Sequence, residues 1–137
     1  MALVLDTGVL YAALDLEDPD HDACAELIAG STEPLLVPAP VLVELEYWVR
    51  KRATADAWLA FCEDVHRGSY VVYQVTPELL LDAAKIQARF EDQDIGLVDA
   101  VVFQTCESLG EPKVATLDHR HFSILRTSSG GSLELLP

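Results

Sequence analysis

Asp6 ends the aliphatic run Leu3-Val4-Leu5, and a second apolar stretch follows it in "ALVLDTGVLYAAL". An ionised carboxylate is costly to bury without a partner, so the question is what Asp6 faces. Three more acids stand in comparable settings: Glu44 inside "VLVELEYWV", Asp99 inside "GLVDAVVF", and Asp118 directly after "VATL". Taken singly, each has a plain explanation. Asp6 can cap a helix, Glu44 can be a solvated flank charge, Asp99 can complement a helix dipole, and Asp118 can be a turn residue. Taken together they suggest different chemistry. Carboxylates gathered at one place repel and raise one another's pKa, so an ionised cluster calls for a cation. Oxygen ligands without Cys or His suit Mg²⁺ or Mn²⁺ better than zinc. Such ions position water and stabilise the leaving oxygen in phosphodiester hydrolysis.

Convergence requires elements that deliver the acids to one edge. Residues 2–5 read as a short buried strand and Thr7–Leu16 as a helix that Thr7 can cap. Helices are expected over 18–30, from Pro40 to about Ala53, from the cap Thr54 to about Gly68, from Thr76-Pro77 to Phe90, and over 97–110. Strands are expected at 34–38, 69–75 and 113–117, with "LELL" near the end as a fifth. Strands that alternate with helices, and that are short continuous apolar runs, predict an α/β sandwich on a mainly parallel sheet. In such sheets the working crevice lies beyond the carboxyl ends of the strands. Asp6 and Asp118 each follow a strand, and Thr116 shares the face of Asp118 two residues earlier. Asp94 reads as a loop or cap residue that could border the same site. The helical wheel leaves Glu44 and Glu46 about 40° beyond opposite edges of the apolar arc, so periodicity does not choose between them.

The remaining features narrow the class. A chain of 137 residues with half of them hydrophobic fits one globular domain, 1–137. No apolar run approaches the ~20 residues of a membrane span, and no basic segment precedes the first one, so a cytoplasmic location is expected. Cys24, Cys62 and Cys106 are too far apart for a zinc knuckle and read as core-filling thiols. The net charge of −14, from nine Lys and Arg against 23 Asp and Glu, argues on its own against a phosphate-binding surface.

"LDTGVLYAAL", "VPAPVLVELEYWVRKR", "DIGLVDAVV" and "VATLDHRHF", in this order and spacing, resemble the PIN-domain ribonucleases, most closely the VapC toxins of toxin–antitoxin modules. The likeness runs from residue 2 to about Phe122. It implies a three-layer α/β/α sandwich with a central, mainly parallel sheet of four to five strands. It also implies an acidic pocket holding Mg²⁺ or Mn²⁺ and hydrolysis of RNA phosphodiester bonds. Carried over by position, the pocket acids are Asp6, Glu44, Asp99 and Asp118, with Thr7 and Thr116 supporting them and Phe122 a structural aromatic. Glu46 falls where the family tolerates other residues. The resemblance further implies a VapB-like antitoxin partner and a homodimer; Trp58 and Phe61 are candidates for an interface, although core packing is the stronger reading of both. Few cations remain to grip RNA. Arg120, next to Asp118, is the preferred one, whereas Arg50-Lys51-Arg52 reads as a helix end complementing its dipole. His119 and His121 read as ordinary surface histidines. The rival readings are a catalytically silent PIN-like protein-binding module and another metal-dependent phosphohydrolase; a dehalogenase-type phosphatase would need a second Asp where Gly8 stands.

Overall fold

The computed structural model describes all residues, Met1–Pro137. The elements in order are β1 (Leu3–Val4), α1 (Thr7–Leu14), α2 (His21–Ala29), β2 (Leu35–Pro38), α3 (Ala39–Arg52), α4 (Ala55–His66) and β3 (Val71–Tyr73). They continue with α5 (Pro77–Arg89), a 3₁₀ turn (Glu91–Gln93), α6 (Leu97–Leu109), β4 (Lys113–Ala115), α7 (His119–Ile124) and β5 (Glu134–Leu136). The expected α/β/α sandwich is present, and every strand pairing is parallel. No helix is long and apolar enough to cross a membrane.

The sheet differs from a continuous ladder of four to five strands. It consists of a three-stranded ladder, β1-β2-β3, and a two-stranded one, β4-β5. A single parallel bridge between Leu5 and Ala115 joins them, backed by the Asp6 amide donating to the Ala115 carbonyl at 2.9 Å. The physical reason is the brevity of β1: the chain leaves extended geometry at Asp6 to begin α1, before a second ladder can form. The run 69–75 is likewise trimmed to three paired residues in β3. Residues 119–124, for which no helix was expected, form α7.

Because β1 sits between β2 and β4, the chain crosses over in opposite directions on its two sides. This is a topological switch point, where α/β sheets open a crevice at their carboxyl ends. One continuous core of 28 residues fills the layers, with Val4, Leu5, Val37, Leu45, Val101, Phe103 and Phe122 almost wholly enclosed. Thr54 and Thr76 cap α4 and α5, accepting from the Ala57 and Leu79 amides at 3.2 and 3.1 Å. Gly110 stops α6 with φ +68°, a left-handed conformation that suits glycine. Cys24 and Cys106 are buried and Cys62 partly so, all as free thiols.

Candidate active site

A cleft of about 380 Å³ opens at the switch point, lined by Asp6, Thr7, Gly8, Tyr11, Glu44, Trp48, Arg52, Asp99, Leu117 and Asp118. Four separate segments thus bring their acids to one space: the end of β1, the middle of α3, the first turn of α6 and the turn after β4.

Asp6 is the most firmly held. It adopts extended backbone geometry and caps α1 itself, one carboxylate oxygen accepting from the Thr7 amide at 2.8 Å. Its other oxygen accepts from the Thr116 hydroxyl at 2.8 Å. The cap expected of Thr7 is therefore supplied by Asp6. Thr7 instead occupies the first helical position, and its Oγ1 is buried with no hydrogen-bond partner. Thr116 is fully enclosed and also accepts from the Asp118 amide at 3.0 Å, so a single hydroxyl ties two of the acids together.

Asp118 caps α7, accepting from the His121 amide at 3.0 Å with one oxygen and contacting His121 Nδ1 at 2.8 Å with the other. The same Nδ1 stands 3.3 Å from Asp99 Oδ2. Asp99, Asp118 and His121 offer ligand atoms that lie within 4.8 Å of one another. Glu44 projects from α3 into the cleft, whereas Glu46 turns away and pairs with Arg50 at 2.8 Å. The choice that the helical wheel left open is visible directly in this geometry.

The electrostatics follow from burial and like charge. Asp6 is pushed up to about 6, chiefly by burial; its two hydrogen bonds oppose the rise, and Glu44 and Asp118 add to it. Asp99 is pushed up to about 7 by burial first, then by the charges of Asp6 and Asp118. Burial also acts upward on Asp118, but the hydrogen bonds and charge of His121 outweigh it and hold the group below its ordinary value. His121 is raised in turn, mainly by its hydrogen bond to Asp118. The cluster is short of positive charge. It offers carboxylate oxygens, the His121 nitrogen beside two of them and one orphaned hydroxyl, donors that fit a divalent cation.

Two expected site residues lie elsewhere. Asp94 does not line the cleft; it sits in the left-handed region at φ +54°, closing the turn before α6, a conformation that aspartate tolerates better than most residues. Arg120 is exposed on α7 and does not line the cleft either, although its charge is felt by Asp118. Conversely, His121, Tyr11, Trp48 and Arg52 belong to the site or its rim and were not expected there. The available signals were spacings: Asp118 to His121 is one helical turn, and Glu44, Trp48 and Arg52 recur every four residues.

The PIN domain family model matches residues 3–126. Ribonuclease VapC26 of Mycobacterium tuberculosis (strain ATCC 25618 / H37Rv) is 34% identical over 135 residues, covering 98% of this chain and 100% of that protein. Among solved structures, M. tuberculosis VapC20, described as a sarcin–ricin loop cleaving toxin, superposes with a TM-score of 0.82 at 21% identity, covering 99% of this chain and 100% of the other. VapBC2 from Rickettsia felis, solved bound to a fragment of promoter DNA, gives a TM-score of 0.69 at 17% identity, covering 98% of this chain and 97% of that one. The chain belongs to the PIN-domain family, on its VapC branch.

Proposed function

We propose that the protein is a Mg²⁺- or Mn²⁺-dependent endoribonuclease, the toxin of a VapBC-type toxin–antitoxin pair acting in the cytoplasm. The observation that carries this reading is the convergence of Asp6, Glu44, Asp99 and Asp118 on one cleft at the sheet's switch point. Asp6, Glu44, Asp99 and Asp118 would hold the cation, which when bound lowers the pKa of a water and stabilises the departing oxygen. The chain's own residues do the rest. The Thr7 amide and the Thr116 hydroxyl lock the Asp6 carboxylate in place. Asp118, kept ionised by His121, accepts a hydrogen bond from the attacking water and so orients it. His121 Nδ1, between two carboxylate oxygens, can hold a proton there.

Its partners would be an RNA substrate, a second copy of the chain and a small antitoxin whose basic segment matches the acid surplus. Such a complex should loosen as salt rises, and insensitivity to salt would count against charge as its basis. The test of function is to map new RNA ends in cells after induction. The native chain should create ends at discrete sites and Asp6→Asn none; the same ends from both would remove the assignment.

A further inference from the structure

We propose that Arg52, laid on Trp48 at the mouth of the acid cleft, holds a phosphate of an unpaired RNA strand beside the bond being cut, with Trp48 as the stacking surface for an adjacent base. The inference rests on the RNA-cleaving reading above and names how that substrate is gripped. A cation held by the four carboxylates would offset their charge only locally, and the chain as a whole carries −14. A polyanion entering the cleft therefore gains from a fixed positive group at its mouth. Of the nine Lys and Arg, Arg52 alone lines the cleft. It makes no ion pair and no hydrogen bond, whereas Arg50, Arg67, Lys85 and Lys113 are each paired with an acid. Asp15 feels the charge of Arg52 but stands beyond ion-pair distance, so the guanidinium keeps its donors for an outside anion.

Its orientation is restrained as well. The guanidinium carbon stands 4.7 Å from the centroid of the Trp48 ring. That contact restricts the freedom of the guanidinium and so lowers the entropy cost of phosphate binding. Trp48 itself lines the cleft and remains 37% exposed, so part of its ring is accessible to a ligand there. Indole faces and arginine planes are the surfaces on which splayed, unpaired bases stack. Glu44, Trp48 and Arg52 recur every four residues of α3, so the acid, the ring and the cation form one stripe leading out of the cleft. Arg120, exposed and outside the cleft, lacks this setting.

The experiment measures binding of a fluorescein-labelled single-stranded RNA to the Asp99→Asn chain by anisotropy across a salt series, together with kcat and KM of the otherwise native chain. Arg52→Ala should weaken binding about tenfold or more, lower the salt slope by about one and raise KM with little change in kcat. Arg52→Lys should restore the slope but only part of the affinity. Trp48→Ala should weaken binding severalfold, and Trp48→Phe should recover part of the loss. Lys85→Ala, remote from the cleft, serves as the control, and unchanged melting temperatures exclude misfolding. Unchanged binding, slope and KM in Arg52→Ala would overturn the proposal, as would a chain that binds no RNA at all. A change confined to the monomer–dimer equilibrium would also overturn it, assigning the pair to a protein interface. A native chain that binds RNA through Arg52 yet cuts none with added Mn²⁺ would instead defeat the catalytic reading and leave the grip intact.

Discussion

At the scale of single residues, the site is a set of carboxylates held under strain of charge. Asp6 illustrates the cost. Its rise from 3.8 to about 6 corresponds to about 3 kcal/mol of disfavoured ionisation at neutral pH. Asp6→Asn removes the charge but leaves one acceptor oxygen where Asp6 uses two. Relief of the ionisation cost should outweigh the lost hydrogen bond, so the metal-free variant should melt modestly higher at pH 7.5 while losing cleavage activity. Calorimetry beside an RNA assay checks both halves. The pH dependence has a definite sign. Asp6 and Asp99 have folded pKa values above the unfolded one, so their contribution is full below about pH 4 and is lost as pH rises through about 6 to 7. The raised His121 contributes in the same direction, and the lowered Asp118 loses its contribution only at more acidic pH. The metal-free melting temperature should therefore fall between pH 5 and pH 8, and Mn²⁺ should close the gap. A flat profile without metal would contradict the assignment. Asp6, Asp99 and Asp118 were legible as candidates because carboxylates after strands and in apolar helices stand out. His121 was not, because nothing local distinguishes a surface histidine from one placed between two acids by a helix that begins at Asp118.

Elements explain what single residues cannot. Helix α3 buries Val41, Leu45 and Val49 completely, yet the edge of its apolar arc, at Trp48, turns to the cleft and not into the core. The wheel treats both edges alike, so periodicity left Glu44 and Glu46 equal. The family resemblance favoured Glu44, and the packing of α3 against the neighbouring α1 and α6 shows it facing the cleft. Helix α7 presents the opposite case. Six residues long, it is too short to declare itself by periodicity, and it owes its place to the Asp118 cap and the buried Phe122. Phe122→Ala should cost about 3–5 kcal/mol and impair cleavage by unseating Asp118 and His121. Denaturant titration of Phe122→Ala against Phe122→Leu, which should retain most stability, checks it. Thr116→Val, nearly isosteric, should cost about 1–3 kcal/mol because the Asp118 amide loses its acceptor and Asp6 loses a donor.

For the whole molecule, the fold class followed from alternation of short apolar strands with helices, and the crevice rule then located the site. The split of the sheet into two ladders did not follow, since it depends on β1 ending at Asp6 to start a helix, a detail of backbone geometry that apolar patterning does not encode. The same abrupt ending is what aims the Asp6 carboxylate into the cleft. A net charge of −14 argues on its own against a nucleic-acid enzyme, but the sum conceals a local arrangement: acids in the cleft, one arginine at its rim, and the remaining charge spread over the surface. Divalent cations should accordingly raise the melting temperature far more than equal ionic strength of NaCl, and Asp99→Asn should remove most of that difference. The most direct test of the central claim is RNA cleavage by purified protein with metal removed and restored. The native chain should be silent in EDTA, active again with Mg²⁺ or Mn²⁺, and inactive throughout as Asp6→Asn. Cleavage that persists in EDTA and in Asp6→Asn would contradict a metal site built on these four acids.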